Sequence, residues 1–389
     1  MRLFKIVCRG SKLSLAQADI FKKKLMAIQA DMKVEIVIKE TEGDINQIQP
    51  LTELEGKDFF TKDIQDYLLS GHADFAVHSL KDVSGENFFK DNTYAIIERE
   101  DVHDVGIFNE NVIAKLKSGE TIRLGTSSPR RVEMAREFLL KTLPKFNTKH
   151  VDIDSLTIRG NVDTRLKKLD AGEYDGIILA CAGLNRLLRA ESANEEVAAL
   201  LKGKLIMILP LLECPPAPGQ GAIVAETSPD NEEAKRILKS LNVSHLAKEV
   251  NEERKLAHKY GSGCHQKFGA VHINTGAYSF TYAAGKDRND KSFSETEPKE
   301  ISKQSGEPIP AQVVKELFNH QHINLFASVE SIAKGKWQDQ KNWVSKTDLW
   351  FDLAQQGAWV QGSMEGFGLN FLEETIKSPL VQVNNKSAK

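Results

Sequence analysis

One pattern, written twice, constrains the fold of this chain more than any other feature: a helix end, a glycine, two residues, an aspartate, then an apolar run. It reads Ser70-Gly71-His72-Ala73-Asp74-Phe75-Ala76-Val77 and again Ala171-Gly172-Glu173-Tyr174-Asp175-Gly176-Ile177-Ile178. Glycine closes helices because it adopts the left-handed conformation without a Cβ clash, and apolar runs this short suit strands buried in a sheet. A second pattern is also duplicated. Residues 5–8 form a strand candidate that turns through Arg9-Gly10-Ser11 into a helix, and residues 123–126 do the same through Ser127-Ser128-Pro129. The duplication predicts two related α/β lobes, near residues 1–100 and 105–200, with a cleft between them. Residues 205–212 then read as a strand, and Pro215-Pro216-Ala217-Pro218-Gly219-Gln220-Gly221-Ala222 as a rigid turn that would return the chain to the first lobe. Strand-like alternation follows over residues 270–284, with a helix candidate near 313–318 and a Trp- and Gly-rich segment over 350–371.

Composition limits the function classes. A length of 389 residues accommodates two or three domains, each with its own core. The formal net charge of -2 argues against a nucleic-acid binder. No apolar run approaches a membrane span and residues 1–10 lack the core of a secretory signal, so a cytoplasmic protein is expected. The cysteines Cys8, Cys181, Cys214 and Cys264 are scattered without Cys-x-x-Cys spacing, which supports neither a disulfide framework nor a metal site.

The candidate chemistry lies where strands end. The apolar run at Ala76-Val77-His78 stops at Ser79-Leu80-Lys81-Asp82. In open α/β sheets the carboxyl ends of strands face the ligand crevice, so Lys81 and Asp82 either serve a bound ligand or begin a solvated loop. Arg9 and Ser11 sit at a strand-to-helix turn whose free N–H groups make an anion site, with Arg9 as a surface residue the alternative. The polar loop after Thr41 runs to about Asp58, is longer than a connection requires and contains Lys57; Lys62 follows at the start of a helix. Pro129 opens another helix with Arg130 and Arg131 in its first turn, where the helix dipole disfavours cations and an anionic ligand would resolve the conflict. Arg159, Arg165 and Arg186 fall at equivalent loop ends. Guanidinium groups gathered in one cleft call for a ligand with several negative groups, each charge-assisted bond being worth about 1.5–3 kcal/mol. Asp82 is the exception, a lone carboxylate suited to N–H donors and to a transient cation. Cys264 stands in Gly261-Ser262-Gly263-Cys264-His265, a loop that would expose its sulfur; it is either a reactive thiol or an ordinary one. His78 reads as a satisfied strand histidine.

Together, Ala76-Val77-His78-Ser79-Leu80-Lys81-Asp82, Gly125-Thr126-Ser127-Ser128-Pro129-Arg130-Arg131, Arg159-Gly160-Asn161-Val162-Asp163-Thr164-Arg165 and Pro218-Gly219-Gln220-Gly221-Ala222 resemble the hydroxymethylbilane synthase, or porphobilinogen deaminase, family. The resemblance runs from about Lys5 to about Ala284. It implies an α/β fold of two periplasmic-binding-protein-like lobes with a cleft, a small α/β third domain and a C-terminal extension. On this division residues 1–100 and 205–229 form lobe 1, 101–204 the Arg-rich lobe 2, 230–290 the cofactor-attachment domain and 291–389 an extension of unassigned role. The resemblance implies a transferase of tetrapyrrole biosynthesis that condenses four porphobilinogen molecules on a dipyrromethane cofactor and releases hydroxymethylbilane by hydrolysis. It implies a thioether to that cofactor at Cys264, with Lys81, Asp82, Ser127, Ser128, Arg130 and Arg131 holding it and Asp82, with Lys81, acting in catalysis. Arg9, Ser11, Arg159, Arg165 and Arg186 would bind substrate and the growing polypyrrole, together with Lys57 and Lys62 as lid lysines. A monomer with no metal, nucleic-acid or membrane partner is expected.

Two departures bear on these expectations. The family usually has proline where this chain has Ser84, and an apolar residue and proline after the cofactor cysteine where this chain has His265-Gln266-Lys267-Phe268. A two-lobed protein that binds a small polyanion without turnover is the competing reading, and an interaction protein built around the extension is a third. In that extension, Gly357-Ala358-Trp359-Val360-Gln361-Gly362 suggests a docking or regulatory element.

Overall fold

The computed structural model describes residues 2–28, 32–41, 61–83, 93–146, 150–261, 266–275, 278–301, 324–326, 328 and 341–386. Lys57, Ser84, Cys264 with its preceding Ser262-Gly263, and the helix expected near 313–318 lie outside these residues. Among the described residues no helix is long and apolar enough to cross a membrane.

The fold is mixed α/β with two sheet-containing lobes, as the duplicated patterns predict. The first sheet contains β1 (Leu3–Cys8), β2 (Lys33–Ile38), β3 (Phe75–Ser79), β4 (Tyr94–Arg99) and, from much later in the chain, β10 (Ala222–Glu226), in the order β2-β1-β3-β10-β4. The second contains β5 (Asp104–Phe108), β6 (Ile122–Gly125), β7 (Ile153–Leu156), β8 (Gly176–Ala180) and β9 (Leu205–Ile208), in the order β7-β6-β8-β5-β9. In each, four strands share one direction and a strand fed by an interlobe crossing inserts antiparallel between two of them, β10 between β3 and β4 and β5 between β8 and β9. The expected return of the chain to the first lobe is therefore present.

The structure also gives the repeated aspartate its physical reason. Asp74 accepts the backbone N–H of Lys5 at the start of β1 (2.9 Å), and Asp175 accepts that of Arg123 at the start of β6 (2.9 Å). Each aspartate's own N–H donates back to the carbonyl of the same residue, Lys5 or Arg123. A carboxylate at this point thus sets the register of the incoming strand and satisfies an N–H that the parallel ladder leaves over. The preceding glycines adopt matching left-handed conformations, φ 77° at Gly71 and 76° at Gly172, and each N–H returns to the helix it closes.

The helix Lys12–Ile28 buries Ser14, Gln17, Ala18, Phe21 and Leu25, one stripe at helical spacing, against the first sheet. Ser11 caps it, its Oγ accepting the N–H of Ser14 (3.2 Å). The strand expected over 205–212 stops at Ile208, because Pro210 has no N–H to continue a ladder. On the outward crossing Glu100 donates its N–H to the carbonyl of Gly221 (3.0 Å) on the return crossing. Gly221 has φ 84°, and a Cβ there would stand 2.3 Å from the Glu100 carbonyl oxygen, so the crossings approach more closely than any other residue allows.

The alternation over 270–284 resolves into β11 (Lys267–Asn274) and β12 (Tyr278–Lys286), joined by β13 (Ser292–Ile301) in an antiparallel sheet. Three short parallel strands, β14 (Asn324–Phe326), β15 (Asn342–Val344) and β16 (Val360–Ser363), form a fourth sheet. It packs on lobe 2 rather than standing apart. Trp350 and Trp359 share a cluster with Phe108 and Phe138, and the Trp359 indole N–H donates to the Ile206 carbonyl (2.9 Å). The Trp359 segment is therefore buried against its own chain and offers no free face to an external partner, which corrects the expectation of a docking element.

Candidate active site

A cleft of about 360 Å³ is lined by matching corners of both lobes. From lobe 1 come Arg9 and Ser11, after β1, and Lys81 and Asp82, in the single helical turn Leu80–Asp82 that follows β3. Lobe 2 supplies Ser127 and Ser128 after β6, then Arg130 and Arg131 in the first turn of the helix Pro129–Thr142. Arg159 and Arg165 enter around the start of the helix Val162–Asp170, and Arg186 from the helix Cys181–Arg189. Among the described lining residues, seven Lys and Arg side chains thus face two carboxylates, Asp82 and Asp163. Lys62 does not line the cleft, although its neighbour Thr61 does.

Several of these cations are buried, which sharpens the electrostatics. Arg130 and Arg131 are 4% and 8% exposed, and both guanidinium groups reach the carboxylate of Asp104 at 2.8 Å. The conflict between the helix dipole and two first-turn arginines is therefore met in part by an internal anion. Burial alone would raise the Asp104 pKa, but Arg130 and Arg131 overcome it and hold the carboxyl well below the usual range. Gln220 links this pair to the other lobe: its Nε2 donates to Asp104 (2.9 Å) and to the Val102 carbonyl (2.7 Å), and its Oε1 accepts from Lys81 Nζ (3.3 Å). Burial, then the charge of Arg131, pushes Lys81 down to about 8, against the pull of Asp82 and Asp104. Arg165 is likewise pushed down to about 10, by burial and then by Arg131 and Arg159. Arg186 donates to the Gly221 carbonyl (2.6 Å), so this cleft residue also touches the return crossing. Arg131 Nε and Arg186 Nε are buried without a hydrogen-bond partner among the described residues. An excess of positive charge with two unused buried donors is an arrangement that favours an anion.

The family model described as "Porphobilinogen deaminase, dipyromethane cofactor binding domain" matches residues 4–236. The chain belongs to the porphobilinogen deaminase family. The match covers both five-stranded sheets and their crossings, and hence every described cleft residue. A porphobilinogen deaminase from Fusobacterium nucleatum is 35% identical over 277 residues, 70% of this chain and 84% of that one. Another from Campylobacter curvus is 37% identical over 271 residues, 69% of this chain and 79% of that one. Among solved structures, the periplasmic aliphatic sulphonate binding protein of Escherichia coli aligns with a TM-score of 0.32 at 12% identity, over 67% of this chain and 72% of that one. That score is too low to bear on fold or function.

For this porphobilinogen deaminase family member, the structure adds residues that local sequence does not mark. Asp104 lies in a polar stretch that reads as loop, and its role depends on Arg130 and Arg131, far along the chain. Gln220 belongs to a recognisable Gly-Gln-Gly turn, but its contacts with both lobes are visible only in the fold. The same contacts change what is expected of Arg130. A ligand-facing arginine could be replaced without loss of stability; Arg130, paired with Asp104 and donating to the Pro215 carbonyl (2.8 Å), cannot. Breaking a buried pair typically costs about 3–5 kcal/mol, and Asp104 keeps Arg131 and Gln220, so Arg130→Leu is expected to lose about 2–3 kcal/mol as well as weaken anion binding. Denaturant titration beside a binding isotherm checks this. Unchanged stability would assign Arg130 to the ligand alone.

Proposed function

We propose that the chain joins porphobilinogen units head to tail, with loss of ammonia at each step, on a dipyrromethane held at Cys264, and releases linear hydroxymethylbilane by hydrolysis. The observation that carries this reading is the cleft itself: a crowd of cations around a turn that presents Lys81 and Asp82. The residues present fit a polycarboxylate that also bears N–H donors. Arg131 Nε and Arg186 Nε are buried donors in want of acceptors, and Asp82 lines the same cleft as a carboxylate that can accept N–H groups.

The bound dipyrromethane supplies a nucleophilic pyrrole carbon to which substrate is joined. The chain's own residues have separable tasks. Lys81, Ser127, Ser128, Arg130 and Arg131 would hold acetate and propionate groups on the cofactor side, and Arg9, Ser11, Arg159, Arg165 and Arg186 would do so on the substrate side. The expected lid lysines Lys57 and Lys62 would join them only through a movement that brings Lys62, which does not line the cleft, toward the ligand. When the C–N bond of porphobilinogen's protonated aminomethyl group breaks, its electron pair leaves with nitrogen as neutral ammonia and the positive charge passes to the substrate pyrrole. Asp82 accepts the pyrrole N–H and stabilises that charge through a carboxylate already in place. The arginines cannot lose their protons and so hold their charge through every cycle. The reading places the protein in the cytoplasm as a monomer, with porphobilinogen and its oligomers as ligands and no nucleic-acid or membrane partner.

Incubation with porphobilinogen, followed by ammonia release and mass spectrometry of the product, tests the reading. A linear tetrapyrrole with one ammonia per substrate consumed is expected. Tight binding with no ammonia would favour the competing two-lobed binding protein.

Lys81 gives a further test. Its folded value of about 8 lies below the ordinary 10.5. Between those values the unfolded chain binds more protons, so the penalty from this lysine is complete below about 8 and is relieved as pH rises through the window. A polyanion does the reverse, raising the lysine's pKa. Porphobilinogen binding to the Cys264→Ser protein is therefore expected to take up protons near pH 8.5 and to weaken above it, as read by calorimetry in buffers of different ionisation enthalpy. Proton release on binding would remove Lys81 from the ligand-facing set.

A further inference from the structure

The lobes are joined by two crossings, between β4 and β5 and between β9 and β10, and the C-terminal segment reaches both. Glu365, just after β16, accepts the backbone N–H groups of Leu211 (2.7 Å) and Leu212 (2.9 Å) on the return crossing. The same carboxylate lies 3.8 Å from His103 Nε2 on the outward crossing, and His103 Nδ1 is 2.6 Å from Asp101. All three side chains are buried. Burial alone would lower the His103 pKa, but Asp101 and then Glu365 hold it up to about 10, so a charged imidazolium stands between two carboxylates at neutral pH. Glu365 has φ 52°, a left-handed conformation that non-glycine residues seldom adopt, and its contacts hold it there.

Next to it the contacts are apolar. Phe367 and Phe371 pack with Val102 and Leu212 of the crossings and with Phe280 and Tyr282 of β12. Phe371 meets the His103 ring at 6.1 Å, and Phe367 meets Phe280 at 6.1 Å. Further on, the Leu380 N–H donates to Asn185 on the helix Cys181–Arg189 (3.1 Å). One stretch of chain thus binds the outward crossing, the return crossing and the third sheet. Crossings of this kind are where hinge rotation is absorbed, and fixing both limits it.

We propose that the C-terminal segment is a hinge clamp, with Glu365 as a positioning residue that ties the two interlobe crossings together and limits how far the cleft opens. The role does not depend on which reaction the cleft performs.

Spin labels at Lys23→Cys in lobe 1 and Lys202→Cys in lobe 2 of the full chain report the interlobe distance, with the chain lacking both as the labelling background. The parent is expected to give one narrow distribution. Glu365→Ala is expected to widen it at least twofold, and Phe371→Ala, which removes the apolar contact while leaving the His103, Asp101 and Glu365 side chains in place, to widen it in the same sense with unchanged circular dichroism. Distributions that match the parent in both variants would overturn the clamp, even if amide exchange at Leu211 and Leu212 accelerates. Should Glu365→Ala fail to fold, Phe371→Ala decides alone.

Discussion

Asp82→Asn is expected to lower turnover by about 10²–10³-fold, the loss seen when one preorganised group is removed from a developing charge. Asparagine keeps the size of the side chain and one acceptor oxygen, so the turn Leu80–Asp82, fixed by backbone and by the buried Leu80, has no reason to change. What disappears is the negative charge. Asp82 is one of two carboxylates lining a cleft of seven cations, and its field supports the protonated forms of both Lys81 and Arg165. Without it, a cation forming on the substrate would meet seven lining cations and, among the described lining residues, the single carboxylate of Asp163. The variant should retain cofactor and melting temperature while losing rate, which separates chemistry from folding. Turnover near that of the parent would remove Asp82 from the mechanism.

The largest stability effect is expected at Glu253, which lies nowhere near the reacting atoms. Its carboxylate, fully buried on the helix Ser244–Tyr260, accepts two bonds from Arg99 of β4 (2.8 and 3.0 Å), the Gly219 N–H of the return crossing (2.8 Å) and the His272 N–H of β11 (2.7 Å). One side chain thus joins lobe 1, the crossing and the third sheet. Glu253→Ala would strand a buried guanidinium, with Glu249 at 3.8 Å the remaining carboxylate near it, and leave two N–H donors unpaired. A loss of about 3–5 kcal/mol is expected, a large part of the ~5–15 kcal/mol that holds a typical protein together. Urea titration measures it; a loss under about 1 kcal/mol would mean the network relaxes around the gap.

The sequence made legible whatever depends on neighbours in the chain. The glycine and aspartate repeat predicts both lobes because the helix end, the register-setting carboxylate and the buried strand are all local features. The arginines are legible for the same reason, since strand ends and first helical turns can be read from residues a few positions apart. Asp104 and Glu253 were not, because their partners are distant in sequence and close only in the fold. Nothing in the charged run Glu249 to Lys255 marks one glutamate as buried. Strands β14 to β16, three or four residues each, are too short to show an alternation. The extension therefore read as a tail, although Trp343, Trp350 and Trp359 complete the core of lobe 2.

The most direct test of the central claim, a covalent dipyrromethane at Cys264, is the intact mass of the purified protein beside its Cys264→Ser variant. An excess equal to two linked pyrrole units in the first and none in the second is predicted, with any cofactor-free fraction of the first gaining that excess on incubation with porphobilinogen. A parent protein that carries no such excess, even after that incubation, would contradict the account.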